Sequence, residues 1–93
     1  MVGTLIAALV GLFGVAVFAV AVSRLYKDKL EQIANKNRSQ VGSFNKLVVE
    51  NLHRGSVSTL DLGIFKDGKK TAILKITADT IDSDITEGQV ITC

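Results

Sequence analysis

The stretch Val2-Gly3-Thr4-Leu5-Ile6-Ala7-Ala8-Leu9-Val10-Gly11-Leu12-Phe13-Gly14-Val15-Ala16-Val17-Phe18-Ala19-Val20-Ala21-Val22 carries no charge, and Thr4 is its one polar side chain. Twelve of its residues are Val, Leu, Ile or Phe, five are Ala and three are Gly. As a helix rising 1.5 Å per residue it would extend roughly 31 Å, the hydrocarbon thickness of a bilayer. At about −0.3 to −0.6 kcal/mol for each strongly apolar side chain, insertion is favoured by roughly −4 to −7 kcal/mol. The expectation is an apolar transmembrane or filament-core helix over residues 1–22. Ala19-Val20-Ala21 also fits the A-x-A pattern of a secretory cleavage site. Against that reading, no Lys or Arg precedes the run, which is longer than the usual apolar region of about 7–15 residues.

Beyond this run the charge is uneven. The net +2 divides into none over residues 1–22, an excess of base over 23–54 and a mild excess of acid over 55–93. The basic residues lie among Asn, Gln and Ser without interleaved aromatics, which suits a solvated or lipid-headgroup surface and not a nucleic-acid site. Arg24, Lys27 and Lys29 follow the apolar run directly. By the positive-inside rule they place the C-terminal part in the cytoplasm or an equivalent interior compartment. The one cysteine, Cys93, excludes an internal disulfide.

Apolar residues then recur as Leu25/Tyr26, Leu30, Ile33, Val41, Phe44, Leu47/Val48 and Leu52, at helical spacing apart from a gap at Asn37. His53 and Arg54 suit a last turn and Gly55 a C-cap. The spacing predicts an amphipathic basic helix over 23–55, continuous with the first and roughly 80 Å long in all. Residues 56–93 read as a small β domain. Leu60, Leu62 and Ile64 alternate on one strand and Ala72, Leu74, Ile76 and Ala78 on the next, with Lys66-Asp67-Gly68 between them. A two-residue turn would mix the faces of the second strand. A three-residue loop with Gly68 left-handed pairs Leu62 with Ala72 and Leu60 with Leu74, and is the expected register. Gln89–Thr92 is a short third strand. The predicted fold class is therefore α+β, a long N-terminal helix followed by an antiparallel hairpin or three-stranded sheet.

No catalytic constellation emerges. His53 has no partner that would make it a base or a ligand, and Asp79, Asp82, Asp84 and Glu87 do not reproduce a calcium loop. Neither a glycine-rich phosphate loop nor a nucleophile motif is present. The chain is expected to be no enzyme and to use no cofactor, metal, nucleic acid or small-molecule substrate. The informative constellation is Gly3, Ala7, Gly11 and Gly14, small residues at a spacing that lets another helix approach closely.

An apolar N-terminal helix running into an amphipathic half and then a β-structure resembles the type IV pilin-like superfamily, including archaeal pilins and archaellins. Val2-Gly3-Thr4-Leu5-Ile6 looks like the start of some archaeal members, with Leu5 where bacterial pilins carry Glu. The resemblance implies a filament with residues 2–22 in its core and residues 57–92 outside. The expected function is a structural subunit that packs against copies of itself through this helix. The alternative is a single-pass membrane component, held in the bilayer among other helices, of a respiratory or transport complex or of a virus with an internal membrane.

Overall fold

Val17, Phe18, Val20 and Val22 are strong strand formers, and the run they belong to is apolar on both sides, as in a strand with neighbours on either hand. The computed structural model describes residues 5–10 and 15–93 and shows these residues extended. Its elements are β1 (Leu5–Val10), β2 (Ala16–Leu25), α1 (Lys27–Lys36), α2 (Arg38–Val41), β3 (Lys46–His53), β4 (Ser58–Lys66), β5 (Lys69–Ile81) and β6 (Val90–Thr92). Among the described residues the strands form one sheet in the order β1-β2-β5-β4-β3-β6. β2 and β5 run parallel, and every other neighbouring pair is antiparallel.

The expected long N-terminal helix is therefore corrected to strands. No helix among the described residues is long and apolar enough to cross a membrane, which overturns the single-pass membrane assignment and the topology drawn from its flanks. The physical reason lies in partners. Apolar length alone favours any structure that buries it. Here β2 buries Phe18, Val20 and Val22 in a protein core while β1 and β5 satisfy its backbone on both sides. The amphipathic helix is likewise shorter than 23–55. α1 ends where Asn37 folds back, its Nδ2 and backbone N–H both donating to the carbonyl of Ile33 at 2.9 and 3.1 Å. α2 ends at Gly42, whose φ of +82° suits a residue without a Cβ. The segment 46–53, expected as helix, is β3.

The covered face of the sheet is built in rows. Phe18, Leu74, Leu62 and Val49 stand side by side across four strands, and Val20, Ile76, Leu60 and Leu52 form the next row. On the other side, Ala16, Ala72, Ile64, Leu47 and Ile91 complete the layer. Leu30, Ile33 and Ala34 from α1, with Val41 and Phe44, close the same core. Within the predicted helix, the apolar positions Leu30 and Ile33 do lie on a covering helix, α1, whereas residues 46–53 are a strand of the sheet it covers.

The hairpin of β4 and β5 keeps its expected faces by a different route. Asp67 and Gly68 both have positive φ, +52° and +80°, and Lys66 pairs with Lys69, so the turn has two residues. The parity error this creates is absorbed at Thr71. Phe65 pairs with Lys70 and Ile64 with Ala72, leaving Thr71 as an extra residue whose hydroxyl donates to the Ile64 carbonyl at 3.4 Å. Leu62 consequently meets Leu74 and Leu60 meets Ile76, in place of the expected partners. The two side chains of the turn region are tied reciprocally: Asn45 Nδ2 donates to Asp67 Oδ1 at 3.1 Å and the Asp67 N–H donates to Asn45 Oδ1 at 3.2 Å.

No atom lies within 4 Å of a Cβ built on Gly68, so its cost on substitution is purely conformational. Gly68→Val is expected to cost about 1–2 kcal/mol and to lower the melting temperature by roughly 5–15 °C, measured by circular dichroism.

Candidate functional site

The residues singled out in the sequence do not come together. Ala7 lies in β1 opposite Ala19, so it is not part of a helical stripe, and Gly3, Gly11 and Gly14 fall outside the described residues. Arg24, the last residue but one of β2, grips Asp82 with two nitrogens, at 3.0 and 2.6 Å. Lys27 and Lys29 belong to the first turn of α1, where the Lys27 backbone N–H donates to Asp84. Among the described residues, these three basic residues follow a strand and no helix able to cross a membrane. His53 is exposed at the end of β3.

The acidic residues near the C-terminal end act as anchors. Asp82 holds Arg24, Asp84 caps Lys27, and Glu87 Oε1 accepts from the Leu52 N–H at 2.9 Å. Arg54 completes this corner by donating to the carbonyls of Ile81, Asp82 and Ile85 at 3.2, 2.7 and 2.8 Å. The Arg24 hydrogen bonds, then its charge, hold the Asp82 carboxyl below the usual carboxylate range. Partial desolvation, then the nearby Glu31 carboxylate, push the Cys93 thiol up, away from the thiolate that reacts. Among the described residues no group of three or more His, Cys, Asp or Glu is placed to hold a metal. A hollow of 390 Å³ beside α1 is lined by Lys27, Asp28, Glu31, Gln32, Asn35 and Ile91, with no arrangement of acid, base and nucleophile.

Two surfaces of the sheet remain. The first is the face away from α1, where Val17, Ile73, Gly63, Val48 and Val90 form a row across five strands. Val17, Ile73 and Val48 are half-buried and Val90 is 56% exposed. Gly63 matters to this face because a Cβ there would lie 2.8 Å from Glu50 Cδ and 3.0 Å from Phe65 Cε1. Its bare backbone lets Glu50 cross β4 and meet Lys70 on β5 at 2.6 Å. Lys46 and Lys70 sit 4.8 and 5.9 Å from the centre of the Phe65 ring.

The second surface is the pair of sheet edges, which differ sharply. The β3 edge is closed. β6 pairs with Lys46, Leu47 and Val48; the Val49 N–H donates to the Gln89 carbonyl, and its own carbonyl accepts from Gly88. Glu87 then takes the Leu52 N–H. At the opposite end, β1 is the outermost strand and pairs with β2 alone among the described residues. Its sequence, Leu5-Ile6-Ala7-Ala8-Leu9-Val10, contains no charge and no proline. Sequence reasoning missed this edge because it took the same residues for a helix. The signal was present in Gly11 and Gly14, which divide the apolar run into pieces of strand length.

Compared with known proteins, the chain matches no family, no curated relative and no solved structure.

Two outcomes are expected. Gly63→Ala should cost about 1 kcal/mol, the low end for an overpacked site, because the flexible end of Glu50 can move aside. In a Glu50→Ala background most of that cost should vanish, a non-additivity read from chemical denaturation of the single and double variants. For Asp82, whose folded pKa is depressed, the stabilisation is complete above the ordinary carboxylate value of about 3.9 and is lost as pH falls through the lower folded value. Asp82→Asn should therefore flatten the acid limb of stability against pH and leave the slope near neutrality unchanged.

Proposed function

We propose that the chain is a non-enzymatic structural subunit that joins a second copy by strand pairing along the outer edge of β1. The observation that supports this most is the contrast between the two edges. Sheet proteins guard their edges with charge, proline, short strands or a covering loop, because unpaired backbone groups recruit other strands. The β3 side carries a short strand and a covering loop; among the described residues β1 carries none of these devices over its six residues.

Pairing of β1 with its own copy is antiparallel about a two-fold axis, so one surface patch serves both partners and the contact closes on itself. Each copy then satisfies the backbone groups of the other, and the two sheets become continuous. The association expected from the N-terminal segment is kept in this reading, but its chemistry is strand addition and not helix packing. No reaction is assigned to the chain.

Light scattering after size-exclusion chromatography over a concentration series tests the reading. The unsubstituted chain should run as a dimer. Ala7→Lys, which places a charge in the middle of the edge, should run as a monomer with an unchanged circular dichroism spectrum. A dimer that survives Ala7→Lys, or a monomer at every concentration of the unsubstituted chain, would remove the proposal.

A further inference from the structure

β6 closes the edge of β3 and in doing so presents a short edge of its own. The Cys93 N–H donates to the Asn45 carbonyl at 3.0 Å, and the Val49 N–H donates to the Gln89 carbonyl at 2.9 Å. Together with Ile91 opposite Leu47, these residues form the hydrogen-bonded pairs of the ladder, and Val90 and Thr92 fall between them. In an antiparallel ladder such intervening residues turn their backbone groups away from the partner strand. The N–H and C=O of Val90 and Thr92 therefore point outward, with no backbone partner among the described residues.

That edge borders the hollow of 390 Å³, which has Ile91 on one side and Lys27, Asp28, Glu31, Gln32 and Asn35 of α1 on the other. Lys27, Glu31 and Asn35 follow one another at four-residue spacing, as do Asp28 and Gln32, so one flank of α1 walls it. Side chains alternate between the faces of a sheet, and Ile91 is the β6 residue that packs on the core. A residue added opposite Ile91 would place its side chain in the hollow, beside that flank.

We propose that the outer edge of β6 and the flank of α1 form a groove for an extended segment of a partner protein, with an arginine seated opposite Ile91. β6 stays in place, and the β1 contact is not required. Backbone pairing to Val90 and Thr92 holds the segment and the hollow selects its side chain, as when a peptide adds a strand to an exposed sheet edge. The selection is one of charge. Asp28 and Glu31 have no ion-pair partner among the described residues, and Lys27 is the one cation among the lining residues, so the wall is net negative. Asn35 Oδ1 already accepts from Arg38 at 2.6 Å, which leaves the two carboxylates and Gln32 as acceptors. An arginine lays its apolar stem along Ile91 and directs its N–H donors to them. An acidic side chain in the same place would meet two like charges. Because the edge is three residues long, specificity rests on that one seated side chain.

Titrating the isotope-labelled full chain with the capped peptide Thr-Val-Arg-Val-Thr, followed by amide resonances, tests the groove. Saturable shifts are expected at Val90, Thr92 and the α1 residues around the hollow, with slower hydrogen exchange at the Val90 and Thr92 amides. Replacing the peptide's arginine by glutamate should weaken binding about tenfold, the worth of one charge-assisted hydrogen bond. Glu31→Lys in the chain should weaken the arginine peptide by about the same factor while melting cooperatively. Absence of saturable shifts at millimolar peptide overturns the proposal, as do shifts confined to β1, which would put the peptide on the opposite edge. Equal affinity for the arginine and glutamate peptides also overturns it. If Glu31→Lys does not fold, the comparison of the two peptides on the unsubstituted chain decides.

Discussion

β2 lies against β5 from Ala16 to Leu25 and from Ala72 to Ile81, the two strands running the same way. The rest of the architecture depends on that pairing. It brings the apolar N-terminal run into register with the second strand of the hairpin, so that Phe18 meets Leu74 and Val20 meets Ile76. Because β3 runs in the same direction as β2, the chain must cross the sheet between them, and α1 is that crossing. The helix in turn carries Leu30, Ile33 and Ala34 over the face that β2 and the hairpin have assembled. Without β2 the remaining strands would offer a narrower face than α1 can close.

The polar corner at Arg54 is the counterpart of this apolar layer. Three carbonyls at the end of β5 and in the following turn accept from one guanidinium. Arg24 and Asp82 tie the same turn to the end of β2. Asp82, Asp84 and Glu87, which form no calcium loop, therefore fasten one piece of the chain to another. This is also why the charge gradient along the sequence carried no information about a membrane. Of the basic groups after residue 22, Arg24 pairs with Asp82, Arg54 holds backbone carbonyls of the C-terminal turn, and Lys46 lies over the Phe65 ring.

The buried faces of the hairpin were legible in local pattern, and the fold class was not. Period-two alternation in 58–66 and 71–78 identified the buried faces of β4 and β5, and Gly68 was correctly expected to be left-handed. The core positions Leu25, Leu30, Ile33, Val41 and Phe44 were visible in the helical spacing, and the gap at Asn37 marked the true end of α1. What local pattern could not decide was the state of a continuous apolar run, since burial between strands and burial in a helix demand the same side chains. The β-branched content of residues 15–22 and the two glycines before them were the available signals. The hairpin register failed for another reason: a bulge at Thr71 restores parity after a two-residue turn, and nothing in the alternation requires it. Of the candidate site, three residues of the small-residue stripe lie outside the described residues and Ala7 is in a strand, while the edge of β1 depends on which strand is outermost, a property of the whole sheet.

The parallel pairing has a further consequence in the order of synthesis. β2 is made early, but its inner partner β5 is completed only at Ile81. At about 5–20 residues per second, the ribosome takes roughly 3–11 seconds to produce the strand that β2 needs. For that interval Phe18, Val20 and Val22 have neither the hairpin beside them nor the finished sheet around them. The segment with the greatest appetite for burial is thus the one that waits longest, and nascent chains on neighbouring ribosomes meet in this unpaired state before either can fold.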